Sequence, residues 1–367
     1  MYRSFLRALA FACGLILLFA QTSSAQSSEI PEDQSTGEIP ATRDKSAFTV
    51  LVYFENDLFY GQDRYYTNAV QMRLISPDLS SIADNYLLPA GLSRALSDVP
   101  FPGRGSASQF NISLGLGQHI YTPEDTQDAN PDPDDRPYAG YLYGLLALHA
   151  KQHNRLDTLE LAAGIIGPSS LAEQAQNEVH RMRGINTANG WDNQLHDEPA
   201  AMLTWTRIWR LNPDNDGRWG FDLLPRVGIS AGTPFTNAVL GGELRFGWNL
   251  PPDYGSSGIR PGSGINAPAG DESAAPVQGD GLWSNVSAYL FVGGEGKAVA
   301  YNSFLDGNLW KDSPSVDKFP FVGELSAGLG LNIYNTRLTY TYVHRSNEFH
   351  DQSSGQDFGS ITLGCTF

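Results

Sequence analysis

Phe54-Glu55-Asn56-Asp57-Leu58-Phe59, continuing through Asp63-Arg64-Tyr65-Tyr66-Thr67-Asn68, decides how this chain is read. Upstream of it Phe48, Val50, Val52 and Phe54 recur at every second position, the period of a strand with one apolar face. The run stops at an acid-amide-acid triplet, and after a short loop containing Gly61 a second alternating run begins. Polar groups gather where two strands meet, as they do on the rim of a β-barrel.

The same alternation extends along the chain. In Gln109–Tyr121 the residues Phe110, Ile112, Leu114 and Leu116 share one face, while Asn111, Ser113, Gly115 and Gly117 share the other. Phe321–Leu331 repeats the pattern, with Glu324, Ser326, Gly328 and Gly330 on the polar side. In a soluble sandwich such apolar faces meet a core; in a membrane barrel they meet lipid. Runs of this kind near 47–55, 66–76, 108–119, 138–150, 155–166, 200–212, 218–232, 237–249, 283–296, 318–333, 335–346 and 356–367 predict twelve strands. The expected class is all-β, a twelve-stranded antiparallel transmembrane β-barrel over 47–367. Its last strand carries Ile361, Leu363 and Cys365 in phase and ends on Phe367, an aromatic terminus of the kind outer-membrane barrels present to their assembly machinery.

Composition agrees with this reading. Arg3 and Arg7, an apolar run from Ala8 to Ala20 and Thr22-Ser23-Ser24-Ala25 have the layout of a signal peptide at 1–25, cleaved after Ala25. Residues 26–46, rich in Ser, Glu, Asp and Pro, read as a flexible periplasmic leader. Loss of Arg3 and Arg7 takes the formal net charge from −16 to −18, which excludes nucleic acid as a natural partner. Beyond the signal no apolar run reaches the ~20 residues of a transmembrane helix, whereas barrel strands need only ~9–11. Cys365 is left alone in the mature chain, so no disulfide framework forms.

Placing both ends of the barrel in the periplasm puts the connections 56–65, 120–137, 167–199, 233–236, 297–317 and 347–355 outside the cell. Three polar segments, Glu55–Thr67, Asp132–Tyr138 and Glu173–Glu198, then share one rim. The same parity leaves 77–107 and 250–282 as long inner connections, where bacterial barrels ordinarily keep short turns. Within the third segment Ser170 and Glu173 form a predicted capping box and Gly184 a stop, giving a short helix in an extracellular loop. Glu173, Gln176, Asn177 and His180 share one face of it; Leu171, Ala175, Val179 and Met182 lie opposite, able to pack on the barrel wall or touch lipid.

These residues suit ester hydrolysis, which needs a base for water and a group to stabilise the oxyanion. His180 can be the base or simply an exposed helix histidine, and Gln176 one turn away can fix its tautomer or orient a water. Asn56 offers an amide donor and Thr67 a hydroxyl. Asp57 and Glu55, on the same side of the strand by parity, offer carboxylates to a divalent cation. Asn56 and Asp57 also suit a plain turn after a strand. Parity places Thr67 inside with Gln71 and Arg73 and sends Asn56 outward, so a catalytic Asn56 requires a bulge or strand end to re-aim it. Gly228-Ile229-Ser230-Ala231-Gly232 matches the serine-hydrolase elbow, but it sits within an alternating strand rather than between a strand and a helix.

Glu55-Asn56-Asp57, Asp63-Arg64-Tyr65-Tyr66-Thr67-Asn68, Asp135-Arg136-Pro137-Tyr138-Ala139-Gly140, Gly167-Pro168-Ser169 and Glu173-Gln174-Ala175-Gln176-Asn177-Glu178-Val179-His180 together resemble the outer-membrane lipid A 3'-O-deacylase family. The resemblance spans almost the whole mature chain. It implies a twelve-stranded barrel in the outer membrane that uses Ca2+ to remove the 3'-linked acyloxyacyl group of lipid A in lipopolysaccharide. Carried over by position, Asn56, Asp57, Thr67, Gln176 and His180 are the implied catalytic residues, with His180 activating water. Arg64 and Arg136 are the candidates for gripping sugar and phosphate. The chain departs from the family pattern at Ala69, where members often carry Gly. A channel, a lipopolysaccharide-binding barrel and an outer-membrane phospholipase are the competing readings.

Overall fold

The structure, a computed structural model, describes residues 47–61, 63–212, 218–255, 258–266 and 285–367. The expected signal peptide and leader, positions 283–284 of the ninth expected strand and part of the turn after the sixth lie outside the described residues.

Twelve strands form: β1 (Thr49–Asn56), β2 (Tyr65–Ile75), β3 (Gln109–Thr122), β4 (Ala139–Gln152), β5 (Arg155–Ile166), β6 (Glu198–Trp209), β7 (Trp219–Gly232), β8 (Phe235–Trp248), β9 (Val286–Asn302), β10 (Phe321–Ile333), β11 (Thr336–Arg345) and β12 (Gln356–Thr366). Each pairs antiparallel with its sequence neighbours, and β1 closes on β12 from Thr49↔Thr366 to Asn56↔Gly359. Closure leaves no strand edge unpaired, the condition for carrying a sheet through hydrocarbon. The expected barrel is therefore the observed one. Ser230 of the serine-hydrolase match lies within β7 and bonds Thr204 across the strands at 3.0 Å, with no elbow.

Alternation sorts the side chains. Leu116, Leu240, Leu290 and Leu325 point outward and stay exposed, the lipid-facing belt of such a barrel. Trp219 stacks on Phe246 at 5.6 Å and meets Trp248 edge-on near one end of that belt. Inward-facing charges are paired, as burial demands: Arg73 with Glu160 at 3.0 Å, and Glu324 with both Arg345 at 2.6 Å and Lys297 at 2.8 Å.

The two long inner connections are real, and each has a structural task. Residues 249–255 and 258–266 turn into the lumen, where Asp253 pairs with Arg337 at 2.6 Å, Ser263 bonds the Tyr53 hydroxyl at 2.8 Å and the Ile259 N–H reaches Glu55 at 2.8 Å. Segment 76–108, which includes helix α1 (Ala90–Ser97), instead folds back along the outside of the wall. Its Leu79, Ile82 and Phe101 cover Ile112, Leu148 and Ala150, all outward-facing positions of β3 and β4. Above the luminal segment remains a cavity of about 260 Å³, lined by aromatic residues such as His119 and Tyr143 on one side and charged ones such as Arg226 and Lys297 on the other.

Candidate active site

The site begins where β1 ends. Asn56 is the N-cap of a single 3-10 turn, Asp57–Tyr60, and its Oδ1 accepts from the Leu58 N–H at 2.8 Å. The turn-former reading of Asn56 thus holds, and the cap uses only the carbonyl of the side chain. Its amide hydrogens are left to serve another acceptor.

Asp57 follows, fully buried. Its Oδ2 accepts from the Arg64 backbone N–H at 2.7 Å, while Oδ1 is buried with no hydrogen-bond partner. Burial pushes the Asp57 carboxyl well above the usual range, the Arg64 N–H opposes this and the nearby Asp63 adds to it. Such a carboxylate calls for a cation.

Thr67 corrects the parity argument. It is the extra residue of a bulge in β2, where pairing to β3 steps from Tyr66↔Tyr121 to Asn68↔Ile120. Tyr66 and Gln71 fall on opposite faces of a regular strand, yet both line the interior, because the bulge absorbs one residue. Thr67 is thereby turned to the outer side instead of inside, and its Oγ1 meets Thr122 Oγ1 at 2.7 Å. Asn56 faces outward from its place on β1 and needs no re-aiming. The wall that carries Asn56 and Thr67 is the lipid-facing one.

The expected helix forms as α2 (Ala172–Arg183) and ends on Gly184 in the left-handed region, as the sequence predicts. The capping box does not form. Leu171 takes a left-handed conformation at the N-cap, the helix starts after it, and Ser170 Oγ is buried without a partner. The helix start is held from outside instead, by Asp197, which accepts from the Ser169 N–H and hydroxyl at 2.7 Å each. Ala172 packs with Ile120, Tyr138, Ala188 and Trp191, so α2 lies on the outer wall over β3 and β4. Gly140 makes room for it, since a Cβ there would collide with Ser170 and Ala172.

This docking buries Ala172, Gln176 and His180, spaced one turn apart, against the site. His180 Nδ1 lies 2.6 Å from the Asn186 carbonyl, which fixes the proton on that nitrogen, and Nε2 faces Asp63 Oδ2 at 3.4 Å. Burial pulls the imidazole pKa down, but Asp63 and the Asn186 carbonyl outweigh it, and the net shift is upward. Gln176 donates to Asp63 Oδ1 at 3.3 Å and accepts from Trp191 Nε1 at 2.9 Å. Its expected role as the group that fixes the His180 tautomer passes to Asn186; Gln176 positions Asp63.

The structure therefore brings Asn56, Asp57, Thr67, Gln176 and His180 to one stretch of outer wall and adds Asp63, Asn186 and Trp191. Asp63 was visible as part of a motif, but 117 positions separate it from His180, and no local spacing signals the contact. Three expected residues stand elsewhere. Glu55 turns into the lumen, where Tyr66 and Ile259 occupy its two oxygens, so it is not brought to Asp57 as a second metal ligand. Arg136 is buried, paired with Glu348 at 3.1 Å and stacked over Tyr121 at 4.9 Å. Arg64 lends its backbone to Asp57, while its side chain pairs with Glu124 and reaches Ser353 and Ser354 on the rim.

Residues 9–367 match the family model described as outer membrane protein LpxR. No curated protein sequence matches the chain. Among solved structures it is similar to LpxR from Salmonella typhimurium, with a TM-score of 0.63 at 18% identity, covering 87% of this chain and 99% of that one. At that identity the likeness concerns the fold. A looser match is the translocator domain of the autotransporter NalP from Neisseria meningitidis, TM-score 0.33 at 9% identity, over 88% of this chain and 89% of that one.

Proposed function

The chain belongs to the LpxR family of outer-membrane proteins, and on that premise we propose that it is a hydrolase of the outer leaflet that removes the 3'-linked acyloxyacyl chain of lipid A with the help of Ca2+. One observation carries the proposal: a histidine with its tautomer fixed and a buried carboxylate with one oxygen left unpartnered meet on the lipid-facing side of the barrel wall, joined through Asp63 and Arg64.

His180, with its proton held on Nδ1 by Asn186, presents the Nε2 lone pair as general base and takes a proton from water. Asp63 beside Nε2 stabilises the imidazolium that results, and Gln176, anchored on Trp191, keeps Asp63 in place. The Asn56 amide and the Thr67 hydroxyl lie at the outer wall as donors for the ester oxygens, worth ~2.7–4 kcal/mol for each oxyanion donor that is removed. Asp57 is the residue that fits a hard cation, because its Oδ1 is buried without a partner and oxygen is the donor calcium prefers. Among the described residues no group of three or more His, Cys, Asp and Glu surrounds it, so neutral oxygens would have to complete such a site. Bound there, calcium supplies positive charge to polarise the ester carbonyl.

A channel needs a continuous water path, and residues 253–255 and 258–265 occupy part of the lumen. The test is mass spectrometry of lipid A from cells expressing this chain or His180→Ala, with calcium supplied or chelated. Loss of mass equal to a 3'-acyloxyacyl group, present only with both His180 and calcium, supports the proposal. Unchanged lipid A with a folded barrel overturns it and favours another lipid ester or binding alone.

A further inference from the structure

Helix α2 has three faces rather than two. Ala172, Gln176 and His180 are buried against the wall. Gln174 and Arg181 stand exposed on a second side, and Glu178, at the edge of the apolar residues, reaches toward that side to pair with Arg181 at 2.7 Å. Leu171, Ala175, Val179 and Met182 share the third side at helical spacing, continued past the end of the helix by Ile185. On this side Leu171 is 54% exposed, Met182 62%, Val179 37% and Ile185 38%. A helix in an aqueous loop gains nothing by presenting such a stripe, and a contiguous exposed apolar patch marks a contact.

The barrel itself says what covers it. On β3 the outward positions Ile112 and Ile120 are capped, the first by segment 76–108 and the second by α2. Eight residues along a strand that rises ~3.3 Å per residue and tilts ~40° span only ~20 Å of height, against an apolar band of ~25 Å in barrels of this type. The bare wall on this side is too short for the membrane. Leu116 on β3, Leu142 on β4 and Leu161 on β5 form the exposed belt between the two caps, and Gln118, the next outward position above Leu116, bonds Ser170 beneath the start of α2. The apolar stripe of the helix continues that belt.

We propose that α2 lies at the membrane surface with Leu171, Val179, Met182 and Ile185 immersed in the acyl chains of the outer leaflet and Gln174 and Arg181 in water. The helix that carries Gln176 and His180 is thus held between two surfaces, the protein wall and the lipid. This does not require the chain to be a deacylase.

Single cysteines placed in a Cys365→Ser background at Met182, Arg181 and Leu116 carry an environment-sensitive fluorophore, with the protein reconstituted in phosphatidylcholine vesicles. A nitroxide placed high on the lipid acyl chain is expected to quench the labels at 182 and 116, and aqueous iodide only the label at 181. Iodide quenching of the 182 label to the same extent as the 181 label overturns the proposal. Heat-modifiable electrophoretic mobility checks that each variant is a folded barrel; should the 182 variant fail, a label at Leu171 reads the same face with the same two outcomes.

Discussion

The hydroxyl of Tyr66 donates to Glu55 Oε2 at 2.7 Å inside the barrel, and the residue after each of them, Thr67 and Asn56, faces the other side of the same wall. A luminal contact therefore stands directly behind two of the candidate site residues. Because Glu55 is occupied on both oxygens, Glu55→Gln is expected to leave the calcium concentration for half-maximal hydrolysis unchanged. Tyr66→Phe is expected to cost about 1–3 kcal/mol of stability by stranding a buried acceptor, read from urea unfolding in detergent. A tenfold or larger shift in calcium requirement for Glu55→Gln would return Glu55 to the metal.

Asp57→Asn separates the cation from the fold. The Asp57 pKa is raised, so its stabilising contribution belongs to the protonated form, is complete below the ordinary carboxylate range and is lost as pH rises through the folded value. At neutral pH without calcium the neutral Asn removes that penalty. The variant is expected to lose hydrolysis and calcium response together, while its melting temperature in chelator equals or exceeds that of the parent. A variant that melts lower in chelator than the parent contradicts this account of Asp57.

The pH profile tests His180. Its pKa lies above the ordinary 6.5, and the base must be neutral, so hydrolysis is expected to rise with pH through that raised value. Stability runs the other way: the His180–Asp63 pair contributes fully below the unfolded histidine pKa and is lost as pH rises through the folded one. Asp63→Asn removes the largest upward influence, so the rising limb moves to lower pH while the maximal rate falls. A limb that stays in place shows that another group sets it.

The barrel was legible because alternation is a property of each strand by itself, and β5 runs from Arg155 to Ile166 as the pattern alone predicts. Parity failed at Thr67, where one bulged residue inverts the face of everything before it, and nothing in Tyr65-Tyr66-Thr67-Asn68 announces a bulge. The capping box failed because Leu171 adopts a left-handed conformation that the Ser170–Glu173 spacing does not exclude. Asn56, Asp57, Gln176 and His180 stand out in the sequence through local motifs and the family resemblance those motifs carry. What they bind to, Asn186, Trp191 and Asp63, depends on how a loop folds back on the wall, and that is decided by packing against Ile120 and Gly140.

Gly140 then offers the cleanest way to disturb the site without touching its chemistry. It lies on β4, pairs with Ile120, and has Ser170 and Ala172 where a side chain would go. A leucine there is compatible with an outward strand position, so the barrel is expected to form and to keep its heat-modifiable mobility. The added side chain must displace the first turn of α2, and Gln176 and His180 move with it. Displacement of about 1 Å at a reacting group costs on the order of 10²-fold in rate. Gly140→Leu is thus expected to lower kcat by that order, whereas Gly144→Leu, two steps down the same strand face and in only ordinary van der Waals reach of Leu116, changes it little. Equal losses in both variants would mean that the wall tolerates no bulk anywhere on β4, and that the docking of α2 is not what holds His180.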